Sequence, residues 1–303
     1  MKKIVISGGT GLIGSQLVRT LKSNYKVVVL TRSPEKYKDS KNVSFEEWNG
    51  QDAITSILDG AYAFINLIGE NIGDKMWTTK QKERILNSRV EAAYAVNKSM
   101  SQCPDMPKVW IQASAAGYYG QLGGSNVVCD ELSPKGEHSF LADVCAKWEK
   151  PIREFEAPIR KIIIRTGVVL SPNSLLMQQV LMPFKFGVAV VTGKGNNYLP
   201  WIDISDEVGA IHYLLENEDC EGIYNLVAPH NITMKELVGE VKKRKKTFIT
   251  LYIPELVLQL IFGKEKTREI ILTNQLVAPK RLLEAGYTFL KEKIEDVSLI
   301  EKK

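Results

Sequence analysis

Glycines at 8, 11 and 14 follow the apolar run Ile4-Val5-Ile6 and precede the amphipathic set Leu12, Ile13, Leu17, Val18 and Leu21. A strand, a glycine turn and a helix in that order let a backbone approach a pyrophosphate. Gly8 permits the tight turn, Gly11 removes a side chain where phosphates come close, and Gly14 lets the helix pack on the strand. The amides at the helix start then face the anion, with the helix dipole behind them. An ordinary glycine-rich turn is the alternative. A second apolar run, 26–30, ends in Thr31-Arg32-Ser33. An acid at this point holds the ribose 2′-hydroxyl of NAD, whereas an arginine accommodates the 2′-phosphate of NADP. Arg32 therefore points to NADP, unless it is a plain surface residue. Its charge-assisted hydrogen bond would contribute about 1.5–3 kcal/mol. A third run ends in Asn66-Leu67-Ile68-Gly69, turn-forming where a ribose would pass.

A sheet must hold these loops. Strand-like segments stand at 3–7, 26–30, 63–67, 109–113, 162–165 and 223–226, with helical patterns between several of them, as at 80–101 and 140–155. The strands are nearly all apolar, so both faces must be covered. That order predicts right-handed βαβ units and a doubly wound parallel α/β Rossmann sheet. Ligands in such folds sit at the carboxyl ends of the strands. Beyond about residue 170, Gly and Pro interrupt the pattern, and a smaller C-terminal α/β lobe is expected on the substrate side. With 303 residues and 44% hydrophobic content, the chain can build a core without staples. A net charge of +5 beside 35 acidic residues does not indicate nucleic acid. The one basic run, Lys242-Lys243-Arg244-Lys245-Lys246, reads as a solvated helix end. Four scattered cysteines without a CxxC pair and three histidines argue against structural zinc and for reduced thiols in a cytoplasmic setting. No apolar span reaches the ~20 residues of a membrane helix. The expected partner is a small-molecule substrate, with neither nucleic acid nor membrane; a homodimer is compatible with the sequence.

Further stretches stand in order along the chain: GGTGLIG (8–14), NLIGENI (66–72), NSRVEA (87–92), SAAGYYG (114–120), FLADVCAKWE (140–149), RTGVVLSP (165–172), PWIDISD (200–206) and PKRLLEAGY (279–287). Together they resemble the extended, epimerase-like branch of the short-chain dehydrogenase/reductase superfamily. Within it the chain is most similar to the NAD-dependent epimerase/dehydratase group, the nucleotide-diphosphate-sugar epimerases with a C-terminal domain of unknown function. The resemblance implies an NADP-binding domain over 1–228, with substrate-side segments from about 170, and a small domain over 250–300. It implies cofactor contacts from Thr10, Gly11, Leu12 and Ile13, from Thr31 and Arg32, and from Leu67, Ile68 and Gly69. Near the nicotinamide it implies Arg89 and the Val168-Val169 loop. An ion pair with Glu83 or Glu91 is the alternative for Arg89.

Members of the wider superfamily use a Ser or Thr and a Tyr-x-x-x-Lys, in which the lysine readies the phenol for proton exchange near neutral pH. Aligned on SAAGYYG and Glu149, the Tyr position falls at Leu141 and the Lys position at Cys145. The Ser position falls at Ala115, beside Ser114. Lys147 is two residues out of register and points to another helix face. A positioned proton donor contributes on the order of 10²–10⁴ in rate, so its loss is large. Tyr118 and Ser114, after the fourth predicted strand, are the expected substitutes; packing is the alternative for Tyr118 and its neighbour Tyr119, and loop capping for Ser114. Asp130-Glu131 and Asp203 read better as turn and helix-cap residues. Lys185 could attract a substrate anion. Of Trp77, Phe184, Phe186, Tyr198 and Trp201, one or two are expected to line an apolar pocket. Two functions follow: an NADP-dependent oxidoreductase or epimerase-like enzyme acting on an unidentified carbonyl, alcohol or sugar nucleotide, or a catalytically inactive NADP-dependent redox sensor or scaffold.

Overall fold

A computed structural model describes residues 1–121 and 127–300. Strands and helices alternate through the first half: β1 (Lys3–Ser7), α1 (Leu12–Leu21), β2 (Lys26–Thr31), β3 (Val43–Glu47), α2 (Thr55–Leu58), β4 (Ala63–Asn66), α3 (Thr79–Ser101), β5 (Val109–Ala115), α4 (Phe140–Arg153) and β6 (Arg160–Thr166). The second half continues with β7 (Val168–Leu170), α5 (Leu175–Phe184), β8 (Val188–Thr192), β9 (Tyr198–Leu199), β10 (Trp201–Asp203), α6 (Ile204–Glu216), β11 (Gly222–Leu226), β12 (Ile232–Thr233) and α7 (Met234–Arg244). It ends with β13 (Ile249–Ile253), α8 (Glu255–Phe262), α9 (Lys264–Lys266), a π-helical turn (Thr267–Ile271) and α10 (Lys280–Glu284).

Seven parallel strands form the central sheet in the order β11-β6-β5-β4-β1-β2-β3. The winding direction reverses between β1 and β4, so the carboxyl ends of these two strands frame the ligand crevice. Strand side chains alternate between two cores, as a period of two requires. Ile4 and Ile6 pack with Leu17 of α1 and Ile211 of α6, whereas Val5 packs with Leu58, Val96 and Ile152 on the other face. The six predicted strands all lie in this sheet. The seventh, β3, escapes the pattern because it is a half-exposed edge strand of sequence VSFEE. The predicted helices correspond to α3, capped by Thr78, and α4, capped by Ser139.

A third core holds the second half together. Leu170, Phe184, Trp201 and Leu237 meet Ile294, Val297 and Leu299 from the end of the chain. Asp206, buried in the first turn of α6, accepts hydrogen bonds from the Leu290 and Lys291 amides at 2.7 and 2.8 Å. Its neighbour Glu207 is wholly buried. One carboxyl oxygen accepts from the Thr166 hydroxyl at 2.8 Å, and the other has no partner. Burial pushes this carboxyl up to about 8 from an ordinary value of 4.5.

Between those two values the folded chain therefore holds one proton that the unfolded chain releases, so stability falls as pH rises through that window. Glu207→Gln removes that slope of about 1.4 kcal/mol per pH unit. In thermal denaturation series across the window, the melting temperature of the variant should gain steadily on that of the wild type. A constant difference would show that Glu207 does not titrate.

Candidate functional site

The β1–α1 turn lies at the reversal of the sheet. Gly8 has φ +73°, a conformation that suits glycine, and a Cβ there would stand 2.7 Å from the Leu67 carbonyl carbon. At Gly14 a Cβ would stand 2.3 Å from the Gly8 carbonyl oxygen. These two glycines let β1, α1 and the loop after β4 close on one another. Gly11 is different. Its φ of −78° suits any residue, and a Cβ there would meet only the Gly8 oxygen, at 3.4 Å. The space beside it is open. No side chain caps α1, and its first turn carries no acid, so its amides and positive dipole end are available to an anion.

Three adjoining hollows follow the carboxyl edge of the sheet. The central cleft, ≈ 820 Å³, is lined by Gly8, Gly11, Leu12, Ile13 and Gly14, by Leu67, Gly69 and Arg89, and by Val168 and Val169. A groove of ≈ 660 Å³ on the β2 side contains Arg32 and Ile68 and meets the cleft at Gly69 and Glu70. A pocket of ≈ 160 Å³ contains Leu141, Cys145, Thr166 and Glu269, and shares Arg89 and Gly167 with the cleft. Two of the residues expected at the cofactor, Thr10 and Thr31, line none of the three. Thr10 is exposed on the turn, and the Thr31 hydroxyl accepts from the Ser33 amide at 3.4 Å, shaping the turn that carries Arg32.

Arg89 pairs with neither Glu83 nor Glu91. Its Nη1 donates to the carbonyls of Glu70 and Ile85, both at 3.0 Å, and its guanidinium lies 5.0 Å over the Trp148 ring. Gly69 leaves room for it, since a Cβ there would sit 2.8 Å from the Arg89 Cζ. Burial pulls the Arg89 pKa down to about 10, so the group remains a cation at neutral pH.

The residues expected to move protons are elsewhere. Ser114 is buried and donates to Glu149 Oε1 at 2.7 Å. Arg165 Nε and Nη2 bind both oxygens of Glu149 at 2.9 and 3.0 Å, and Arg153 adds a bond of 2.6 Å. Burial pushes the Glu149 carboxyl up, but the Arg165 hydrogen bonds and charge outweigh it, and the group ends below its ordinary range. Tyr119 accepts from Arg165 at 3.0 Å and donates to Asn225 Oδ1 at 2.6 Å, and burial pushes its phenol up to about 12. The Tyr118 ring lies 3.4 Å from the same guanidinium. Neither Ser114 nor Tyr118 lines any of the three hollows. Hydrogen bonding draws Ser114 into a buried network, and stacking holds Tyr118 against Arg165.

Leu141 and Cys145 do face the small pocket. Burial pushes the Cys145 thiol up to about 11, so it stays neutral. None of the five aromatic residues lines the hollows. Phe184 and Trp201 are in the third core, Phe186 is 76% exposed, and Trp77 donates to the Ile72 carbonyl at 2.9 Å. Asp203 caps α6 through the Ser205 amide at 2.7 Å, and Lys185 is exposed outside the cleft.

Two residues of the C-terminal segment reach the site without a sequence signal. Glu269 accepts from the Ser139 hydroxyl and from the Phe140 and Leu141 amides at 2.8–2.9 Å, capping α4 beside the small pocket. Lys266 donates to the carbonyls of Gly73 and Lys75 at 2.7 and 2.9 Å, fastening the loop after β4. Both needed the tertiary fold to be seen. Among the described residues no group of three or more His, Cys, Asp or Glu is placed to hold a metal ion, and no helix is long and apolar enough to cross a membrane.

Residues 4–226 match the model of the NAD dependent epimerase/dehydratase family, and residues 253–297 match a domain of unknown function, DUF1731. The epimerase family protein SDR39U1 of Bos taurus is 31% identical over 294 residues, covering 95% of each chain. An epimerase family protein of Staphylococcus aureus is 30% identical over 308 residues, covering 98% of this chain and 99% of the relative. The crystal structure of human SDR39U1 with NADPH superposes with a TM-score of 0.85 at 29% identity, covering 97% of each chain. A nucleoside-diphosphate sugar epimerase of Corynebacterium glutamicum gives 0.76 at 25% identity, covering 97% of this chain and 56% of that one. With a glycine turn, an uncapped helix start and a trough at the sheet reversal, and with this match over most of its length, the chain belongs to the NAD dependent epimerase/dehydratase family.

Proposed function

We propose that the chain binds NADPH along the trough and acts as an oxidoreductase on a carbonyl or alcohol. The open space at Gly11 carries this reading. Gly8 and Gly14 are glycines because protein backbone fills the space beside them, whereas beside Gly11 the described residues offer only the Gly8 oxygen, at the 3.4 Å of a van der Waals contact. It suits a pyrophosphate laid against the α1 amides. Arg32, in the groove, would hold the 2′-phosphate. Arg89, Val168 and Val169 would border the nicotinamide end. The human relative solved with NADPH supports the same choice of cofactor.

When bound, the dihydronicotinamide supplies a hydride equivalent. The chain's own residues bind and orient it. Ser114 and Tyr118 act from behind the site, through Glu149 and Arg165, as positioning residues. Leu141 and the neutral Cys145 leave the small pocket without a proton-exchanging pair, so the proton that accompanies the hydride is drawn from water in the open cleft.

Two glycine variants separate fold from ligand. Gly14→Ala drives a methyl into the Gly8 carbonyl and should destabilise the chain by about 1–3 kcal/mol. Gly11→Ala should melt like the wild type and yet lose NADPH in a fluorescence titration. Unimpaired NADPH binding by Gly11→Ala would overturn the assignment.

Arg32 sets the choice between cofactors. Wild-type protein should bind NADPH about one to two decades more tightly than NADH. Arg32→Glu should erase or invert that preference by repelling the 2′-phosphate. Equal wild-type affinities for the two would refute the role of Arg32.

A further inference from the structure

Away from the glycine turn the lining of the central cleft is largely aliphatic, although Ser174, Gln178, Gln179 and Thr192 also border it. Leu175, Leu176 and Val180 come from one face of α5, Val190 from β8, and Ile270 and Ile271 from the π-helical turn. The only cation lining the cleft among the described residues is Arg89, which is held against Gly69 on the glycine-turn side. The acids Glu70 and Asp74 also line the cleft. Hydrogen bonds from Lys75 and Gln81 hold the Glu70 carboxyl below its ordinary range, so it is ionised at neutral pH and spends its charge on Lys75, 2.8 Å away, leaving no free cation among the described residues at this edge of the cleft.

Each of the two helix starts on the substrate side already commits a first-turn amide to a side-chain cap. Ser174 caps α5 by accepting from the Met177 amide at 3.4 Å. Thr233 and Glu236 form a capping box at α7, which places a carboxylate where an anion would otherwise bind. A nucleoside diphosphate brings two negative charges, and burying them without a cation or free amides is strongly unfavourable. Among the described residues this wall offers no cation, and the capped helix starts beside it have fewer free amides than the uncapped start of α1.

We infer that the substrate is an uncharged, largely aliphatic carbonyl compound or its alcohol, and not a nucleoside diphosphate sugar. The inference deepens the oxidoreductase reading and rests on it for the reaction, but the preference of the cleft for apolar ligands can be measured without turnover. Leu176, Val180 and Ile270 would hold the alkyl portion and exclude water from it. Asp74 and the lack of a cation among the described residues of this wall would disfavour anionic competitors, so selection works by rejection as well as by contact.

Calorimetric titration of the full chain, with and without NADPH, tests this with methyl ketones from butanone to decanone and with UDP-glucose. Each added methylene should tighten binding roughly three- to fourfold until the wall is covered. UDP-glucose should bind more weakly than decanone. Leu176→Gln and Ile270→Gln, on different elements of the wall, should each weaken decanone about tenfold. Affinity independent of chain length, or UDP-glucose binding more tightly than decanone, overturns the inference while leaving NADPH binding intact. Failure to bind NADPH, with the chain-length series preserved, overturns the cofactor reading and supports the inference about the cleft.

Discussion

Glu149 and Arg165 are opposite charges with at most 1% of their surface exposed, and the geometry of the cleft depends on their contact. Each carries a large desolvation penalty that the other chiefly offsets, with Ser114 and Arg153 assisting Glu149 and Tyr119 assisting Arg165; loss of one partner from such a pair costs about 3–5 kcal/mol. The pair ties α4 to β6, and Ser114 extends the tie to β5. Residues 141, 145 and 149 are four apart and share one helix face. Fixing Glu149 therefore fixes what Leu141 and Cys145 present to the small pocket. A serine and a tyrosine that look chemically ready in the sequence serve this anchor instead.

Arg89 and Arg165 show how one side chain takes two roles. Both are withdrawn from solvent, but Arg165 has a bidentate carboxylate partner and Arg89 has carbonyls only. A neutralised cation is part of the framework. An unneutralised one retains an outward field that an incoming anion can satisfy, which is what the role proposed for Arg89 requires.

Most of the sheet was legible because buried parallel strands write themselves as short apolar runs, and because Gly8 and Gly14 stand where a turn between strand and helix needs them. Strand β3 was illegible since VSFEE faces water on one side and contributes little to the core. The loops that line the hollows were legible by their place after strands. Ser114 and Tyr118 stood out because they follow a predicted strand, where ligands sit in such folds, while their actual partners, Glu149 and Arg165, lie 35 and 47 positions away in sequence. The aliphatic wall was hidden for a similar reason. Its members come from α5, β8 and the turn near residue 270, and only the folded chain brings them to one surface.

The contacts of Lys266 and Glu269 have a consequence for biogenesis. Lys266 grips a loop 191–193 residues earlier, and Glu269 caps a helix 128–130 residues earlier. During synthesis, which proceeds from the N-terminus, the glycine turn and its sheet emerge long before these clamps. The nascent chain thus passes through a period in which the glycine turn and its sheet can assemble while the segment around residue 270 that closes the cleft is not yet in place.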